Sequence, residues 1–116
     1  MIEQLFSEGK SFSIQSFRIL YLFTTLISPL QSGFAVSSKN FKKAVDRNRV
    51  KRLMREAYRI QKNDLKQSLE DKQSNLAVFF IYTGKTVPLY NMVQEKIRLA
   101  LDRLQKITNE STIGNS

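Results

Sequence analysis

Residues 39–62 read KNFKKAVDRNRVKRLMREAYRIQK, and no other stretch limits the folds open to this chain so strongly. At about 100° per residue, Val50, Leu53, Met54, Ala57, Tyr58 and Ile60 fall on one arc of a helix. Arg47, Lys51, Arg52, Arg55, Arg59 and Lys62 gather on another arc, roughly opposite. One face must be buried and the other cannot be, so the helix needs a sheet or other helices under one side only. The segment holds ten Lys or Arg residues against Asp46 and Glu56, a local net charge of +8, while the whole chain carries +9. A solvated surface helix is the alternative, but such helices mix both signs and gain from Glu–Lys pairs four apart. Between Arg47 and Lys62 the only acid is Glu56, which leaves Lys51, Arg55 and Arg59 as like-charged neighbours one turn apart. That repulsion, a few tenths of a kcal/mol per pair, is relieved when phosphates arrive. Charge concentrated in this way is the footprint of a polyanion-binding site.

The rest of the chain narrows the classes further. At 116 residues it makes one domain, expected to be ordered over about 2–107 with a polar, frayed tail over 108–116. With no cysteine there is no disulfide framework and no thiolate zinc site, and with no histidine the usual zinc and imidazole acid–base chemistries are excluded. The longest apolar stretch, Ile19 to Ile27, is about half of what spans a bilayer. Glu3 and Glu8 stand where a signal peptide would have basic residues, so no membrane association is expected and a cytoplasmic location is.

Ile2, Leu5 and Phe6 are spaced for a short helix over 2–8, stopped at Gly9. Residues 10–14 predict a short extended piece, and Phe17–Phe23 a strand with Phe17, Ile19, Tyr21 and Phe23 on one face and Arg18, Leu20 and Leu22 on the other. Thr24–Ser32 reads as a connection and Gly33–Ser37 as the next strand. Asn40 and Asp46 are candidate N-caps of the basic helix, with a kink or separate first turn at Ala44 and Val45, and the helix is expected to reach about Leu69. Leu76–Tyr82 (LAVFFIY) predicts a central strand covered on both faces. Pro88 is placed at the opening of a last helix whose stripe is Val93, Ile97, Ala100, Leu101, Leu104 and Ile107. The fold class is α/β, of the two-layer α+β kind: a small mixed sheet with packed helices in the order α-β-β-α-β-α, with room for one more strand before residue 17. General topology favours a right-handed crossover.

FKKAVDRNRVKRLMREAYR resembles the signature of the protein component of bacterial ribonuclease P. The Arg-Asn-Arg core stands at Arg47, Asn48 and Arg49, followed in register by Val50, Lys51, Arg52, Leu53 and Arg55. GFAVSSK before it and LAVFFIY after it also resemble the family's flanking strands, and the likeness covers roughly 2–107. It implies a left-handed βαβ crossover, against the general expectation. It also implies a subunit of the endonuclease that removes the 5′ leader of precursor tRNA. The implied partners are the ribonuclease P RNA subunit and precursor tRNA, with the catalytic centre and its Mg²⁺ in the RNA and no small-molecule substrate. Arg47, Asn48, Arg49, Arg52 and Arg55 would grip RNA phosphates through their forks, with Lys39, Lys42, Lys51 and Arg59 on the same patch. Ser38 and Lys42 depart from the family's usual basic residue and glycine. A cleft between the first helix, the sheet and the basic helix would hold the single-stranded leader, with Phe6, Lys51 and a strand aromatic in it, either Tyr21 or a position one residue out of register, and Ile2 where the family has a further aromatic. Phe17, Phe23, Phe79 and Phe80 are assigned to the core. The family usually has more basic residues ahead of the first helix, so either this chain is trimmed there or its natural start lies earlier.

The acids Glu3, Glu8, Asp64, Glu70, Asp71, Glu95, Asp102 and Glu110 are scattered, with no pair suggesting a Mg²⁺ cage. Two other classes share part of this pattern. A structural RNA-binding protein of ribosomal type shares the composition and differs at the Arg47–Arg55 motif. A membrane- or calmodulin-docking helix would want an exposed Trp- or Leu-rich face, which a chain with no Trp and two flanking strands does not offer.

Overall fold

In the computed structural model, which describes residues 2–24 and 29–113 and the side chains of 5–24 and 29–110, the run LAVFFIY is strand β4 (Leu76–Tyr82). It lies inside a four-stranded sheet of order β1-β2-β4-β3, with β1 at Lys10–Ile14, β2 at Phe17–Phe23 and β3 at Leu30–Val36. β1 and β2 pair antiparallel, as do β2 and β4, while β3 and β4 run parallel. Parallel neighbours require a crossover, and here it consists of helices α2 (Ala44–Gln61) and α3 (Asn63–Asp71). A short helix α1 (Ile2–Glu8) precedes the sheet, and α4 (Tyr90–Ile113) follows it.

One sheet face is sealed. Phe17 and Ile19 of β2 and Val78, Phe80 and Tyr82 of β4 pack with Val50, Met54, Ala57 and Tyr58 of α2. Leu65 and Leu69 of α3 and Val93, Ile97, Ala100, Leu101 and Leu104 of α4 close the same core. Phe34 of β3 stacks on Phe80, and Tyr58 meets both rings edge-on, each pair of centroids 5.6 Å apart. On the other face α1 packs on β2 with Leu5 buried, but Phe79 and Ile81 are only half-buried, so β4 is not covered on both sides throughout.

Several boundaries differ from the sequence expectations, each for a physical reason. The optional strand before residue 17 is formed as β1 and joined to β2 through Gln15, whose φ is +43°. β3 begins at Leu30, three residues ahead of the expected Gly33, because it pairs with β4 along that strand's full length. Residues 25–28 of the expected connection lie outside the described residues.

The single helix expected to reach Leu69 is two helices, interrupted at Lys62. Leu65 stands eleven residues, about three turns, beyond Met54, so the buried stripe of α2 carries on past the break, and Leu65 and Leu69 are both buried there. Gln61 marks it, donating from Nε2 to the carbonyls of Ala57 (3.0 Å) and of Gln94 in α4 (3.1 Å). Past Asp71 the Ser74 amide donates to the Leu69 carbonyl and the Gln73 amide to that of Glu70, a Schellman closure with Gln73 at φ +53°.

Neither Asn40 nor Asp46 caps α2. The cap residue is Lys43, with no side-chain hydrogen bond, and the helix runs from Ala44 without a separate first turn. Ala44 and Val45 lie off the stripe because that first turn is exposed. Ile60, expected on the buried arc, is 46% exposed at the edge facing α4. Pro88 stands two residues before α4, whose first amide acceptor is the Leu89 carbonyl. Thr108 does not start a frayed tail. It is fully buried, donates its hydroxyl to the Leu104 carbonyl, and α4 continues to Ile113.

Candidate nucleic-acid interface

The outer side of α2 carries the cationic ridge, but its members are not equivalent. Asn48, Arg49, Arg52 and Arg55 are exposed, and among the described residues none of these arginines has an acidic partner. Lys51 is half-buried and lies about 20° around the helix from Tyr58, whose ring packs on Phe34, so Lys51 borders the β3 edge of the sheet. Lys62 lies over the Tyr58 ring at 5.8 Å on the same flank.

Two arginines of the expected set are otherwise engaged. Arg47 folds back, its Nη1 donating to the carbonyls of Phe41 at 2.6 Å and Lys42 at 3.0 Å. Arg59 reaches Glu56 at 2.6 Å, and that hydrogen bond raises its pKa further above the ordinary guanidinium value. The like-charged run along α2 is therefore Lys51 and Arg55 alone, with Arg59 compensated.

Lys39 and Lys42 are exposed on the connection from β3 to α2. Asn40 anchors that connection, its Nδ2 donating to the carbonyls of Thr83 (3.0 Å) and Gly84 (3.3 Å) beyond β4. Phe41 is buried beside Tyr82, with centroids 6.1 Å apart. Arg47 and Asn40 thus clasp the Ser37–Lys43 segment from both sides.

The second candidate surface is the sheet face under α1, formed by Leu20, Leu22, Gln31, Gly33, Ala35, Ala77, Phe79 and Ile81. Phe6 is 55% exposed and meets Phe79 with centroids 5.9 Å apart and ring planes at 65°. Phe79 leans over its register partner Gly33, where an added Cβ would overlap the ring.

Tyr21 is not brought to Phe6. Strand alternation sends it to the opposite face, where it packs between Phe12 (5.9 Å) and Phe23 (6.4 Å). The second aromatic beside Phe6 is Phe79, assigned from sequence to the core, whereas Phe17 and Phe80 are buried and Phe23 packs against the core as expected. A continuous apolar strand carries no polar residue to mark its faces. The available signal was parity, since Phe79 is one residue out of step with Val78 and Phe80.

Comparison with known proteins shows the family. The family model described as Ribonuclease P matches residues 1–105. The ribonuclease P protein component of Porphyromonas gingivalis is 33% identical over 98% of this chain and 85% of its own length. The chain belongs to the ribonuclease P protein family. That of Chlorobium phaeobacteroides is also 33% identical, over 93% of this chain and 84% of its own. The ribonuclease P protein of Thermotoga maritima, solved with 1-(4-fluorophenyl)-2-thiourea, superposes with a TM-score of 0.66 at 25% identity, covering 88% of this chain and 92% of that one. That of Staphylococcus aureus does so at 0.65 and 20%, covering 91% and 86%, a likeness of fold. None of these relatives is a structural RNA-binding protein of the ribosomal kind.

In this member of the ribonuclease P protein family the Arg-Asn-Arg motif is split by the helix. Arg47 turns inward to the connection, while Asn48 and Arg49 face solvent. Among the described residues no group of three or more acidic side chains converges on a possible metal position, and no helix is long and apolar enough to cross a membrane.

Proposed function

We propose that this chain is the protein subunit of ribonuclease P, binding the enzyme's RNA subunit through the α2 ridge and the 5′ leader of precursor tRNA through the open sheet face. The observation that carries this is the pairing of two unlike surfaces across β3. One is a row of unpaired guanidinium groups, suited to forked contacts with phosphate oxygens. The other is a shallow apolar face with two adjoining aromatic rings, which suits unpaired bases rather than a duplex. Arg49, Arg52, Arg55 and Asn48, extended by Lys39 and Lys42, serve the RNA subunit. Arg47 acts there by holding the connection in place, and Arg59 contributes once Glu56 is displaced. Lys51 stands at the junction and Phe6 in the leader cleft, while Tyr21 supports the sheet from behind.

Chemistry belongs to the RNA in this reading. The residues present do not fit a Mg²⁺ cage, so Mg²⁺ is assigned to the RNA subunit and substrate. The protein contributes orientation and charge neutralisation, and the cytoplasm is the location that goes with this reading. Purified protein with Mg²⁺ is expected to leave precursor tRNA uncut, and addition of the cognate RNA to give one cut at the leader–mature junction. With roughly six phosphate contacts, log K for the RNA subunit should fall against log salt with a slope of about −4 to −5. Specific cutting by RNA-free protein, or a slope near about −1, would refute the assignment.

A further inference from the structure

At the end of β2 a corner of the molecule serves neither the α2 ridge nor the Phe6 surface. β1 begins at Lys10, opposite Tyr21, so Leu22 and Phe23 run on past it. The Thr24 amide donates to the Asn75 carbonyl, on the β4 side. Backbone groups of successive strand residues point to alternate sides, so the amide and carbonyl of Phe23 point away from β4, to where β1 has not begun. A hollow of about 230 Å³ lies there, lined by Glu8, Lys10, Tyr21, Leu22, Phe23 and Ile107. A drug-sized ligand takes about 300–1,000 Å³, so the hollow suits a single base-sized ring system. Tyr21 and Phe23 are half-buried, with centroids 6.4 Å apart and ring planes at 83°. Rings set at that angle let a flat guest stack on one and meet the edge of the other.

Cations gather around the same corner. Lys10 is on its rim, and Arg103, one turn before Ile107 on α4, lies over the Phe12 ring of β1 at 4.4 Å. Lys106 adjoins Ile107, and both it and Arg103 are exposed. None of these three has an acidic partner among the described residues. Glu8 on the rim and Glu110, three residues past Ile107, are the acids of the corner and are outnumbered.

We propose that this corner binds one nucleotide, its base against Tyr21 and Phe23 and its phosphate among Lys10, Arg103 and Lys106. Aromatic platforms beside unpaired cations are what hold an unstacked base together with its phosphate. The Phe23 amide and carbonyl offer the base edge a donor and an acceptor, and Ile107 closes the hollow from α4. A bare phosphate would leave the rings unused, and an uncharged ring would leave the cations unused. Tyr21 and Phe23 stand on the sheet face opposite Phe6 and Phe79, so the site does not rest on the leader-cleft reading. A free mononucleotide and an unpaired nucleotide of an RNA present the same chemistry, and the test separates them.

The isotope-labelled full chain is titrated with AMP, GMP, CMP and UMP, with the matching nucleosides and with ribose 5-phosphate, and followed by amide NMR. The nucleotides should shift the amides of Tyr21, Leu22 and Phe23 saturably. Nucleosides should do so about 3- to 5-fold more weakly, the upper range for exposed charge pairs, and ribose 5-phosphate should leave these amides in place. Tyr21→Leu should weaken nucleotide and nucleoside alike by at least about 5-fold, the low end for a stacked base. Lys10→Ala, at an exposed position, should abolish the advantage of nucleotide over nucleoside and leave nucleoside binding unchanged, a split that a merely structural role would not give. Shifts confined to α2 or to the Phe6 face, an equal response to ribose 5-phosphate, or an undiminished nucleotide advantage in Lys10→Ala overturns the proposal. The source is read in holoenzyme reconstituted with the cognate RNA subunit and precursor tRNA. The chain has no cysteine, so Glu8→Cys gives a unique thiol at the rim for a photo-crosslinker. A cross-link to RNA that AMP competes away makes the occupant a nucleotide of that RNA. Mononucleotide shifts with no such cross-link make it a free nucleotide.

Discussion

Replacing Arg47 by alanine separates the two things a guanidinium can do on α2. Its Nη1 holds the carbonyls of Phe41 at 2.6 Å and Lys42 at 3.0 Å, the first part-buried and the second exposed. A hydrogen bond from a charged donor contributes about 1.5–3 kcal/mol net. The exposed one is replaced by water at little loss, so the expected destabilisation is about 1.5–2 kcal/mol. No side-chain cap at Lys43 takes over, because none exists. For a domain of this size that lowers Tm by roughly 5–10 °C. The matched control is Arg49→Ala: Arg49 is exposed and without an acidic partner among the described residues. It should change stability by less than about 0.5 kcal/mol while reducing the salt slope of RNA-subunit binding by about one. Urea unfolding and binding titrations at four salt concentrations distinguish the pair. If Arg47→Ala unfolds at the wild-type midpoint and loses slope as Arg49→Ala does, the clasp is refuted and Arg47 is an ordinary phosphate ligand.

Gly33→Ala would put a methyl where the Phe79 ring lies, destabilising the domain by about 1–3 kcal/mol as overpacking does and weakening precursor tRNA binding more than RNA-subunit binding; equal losses for the two ligands would count against the cleft. Burial pushes the Tyr58 phenol up to about 12, with the Ser32 hydrogen bond offsetting part of that. The folded form therefore keeps a proton that the unfolded chain gives up near pH 10, so stability is full below pH 10 and falls by up to about 2–3 kcal/mol as pH rises toward 12. Burial also raises Tyr82, so Tyr58→Phe should flatten the fall only in part, as chemical denaturation at pH 9 and pH 11.5 would show. Gln73→Gly, at a φ of +53°, should stabilise by up to about 1 kcal/mol; a loss measured by urea unfolding would mean the Gln73 side chain holds the turn.

The linear pattern alone determined whatever depends on period and charge density. The 3.6-residue stripe of α2 and α4, the strands Phe17–Phe23 and Leu76–Tyr82, the mixed α/β class and the family motif follow from residue types at fixed spacings. Spacing cannot say what a side chain does when an acceptor from elsewhere in the fold arrives. Arg47 and Arg49 are two residues apart in one motif, yet one meets the carbonyls of the incoming connection and the other meets solvent. Alternation correctly separated Tyr21 from Leu20 and Leu22, but only the packing of α2 and α4 decided that the Tyr21 face is the sealed one. The break at Lys62 is likewise not in the pattern: the apolar stripe runs on through Leu65 and Leu69, while the bond from Gln61 beside the break to the Gln94 carbonyl depends on where α4 packs. Phe79 is the sharpest case. Parity in its own strand sets it apart from Val78 and Phe80 but does not say which face stays open. Its place beside Phe6 arises because parallel pairing sets an aromatic ring opposite a residue with no side chain, and the ring then leans into the space that residue leaves.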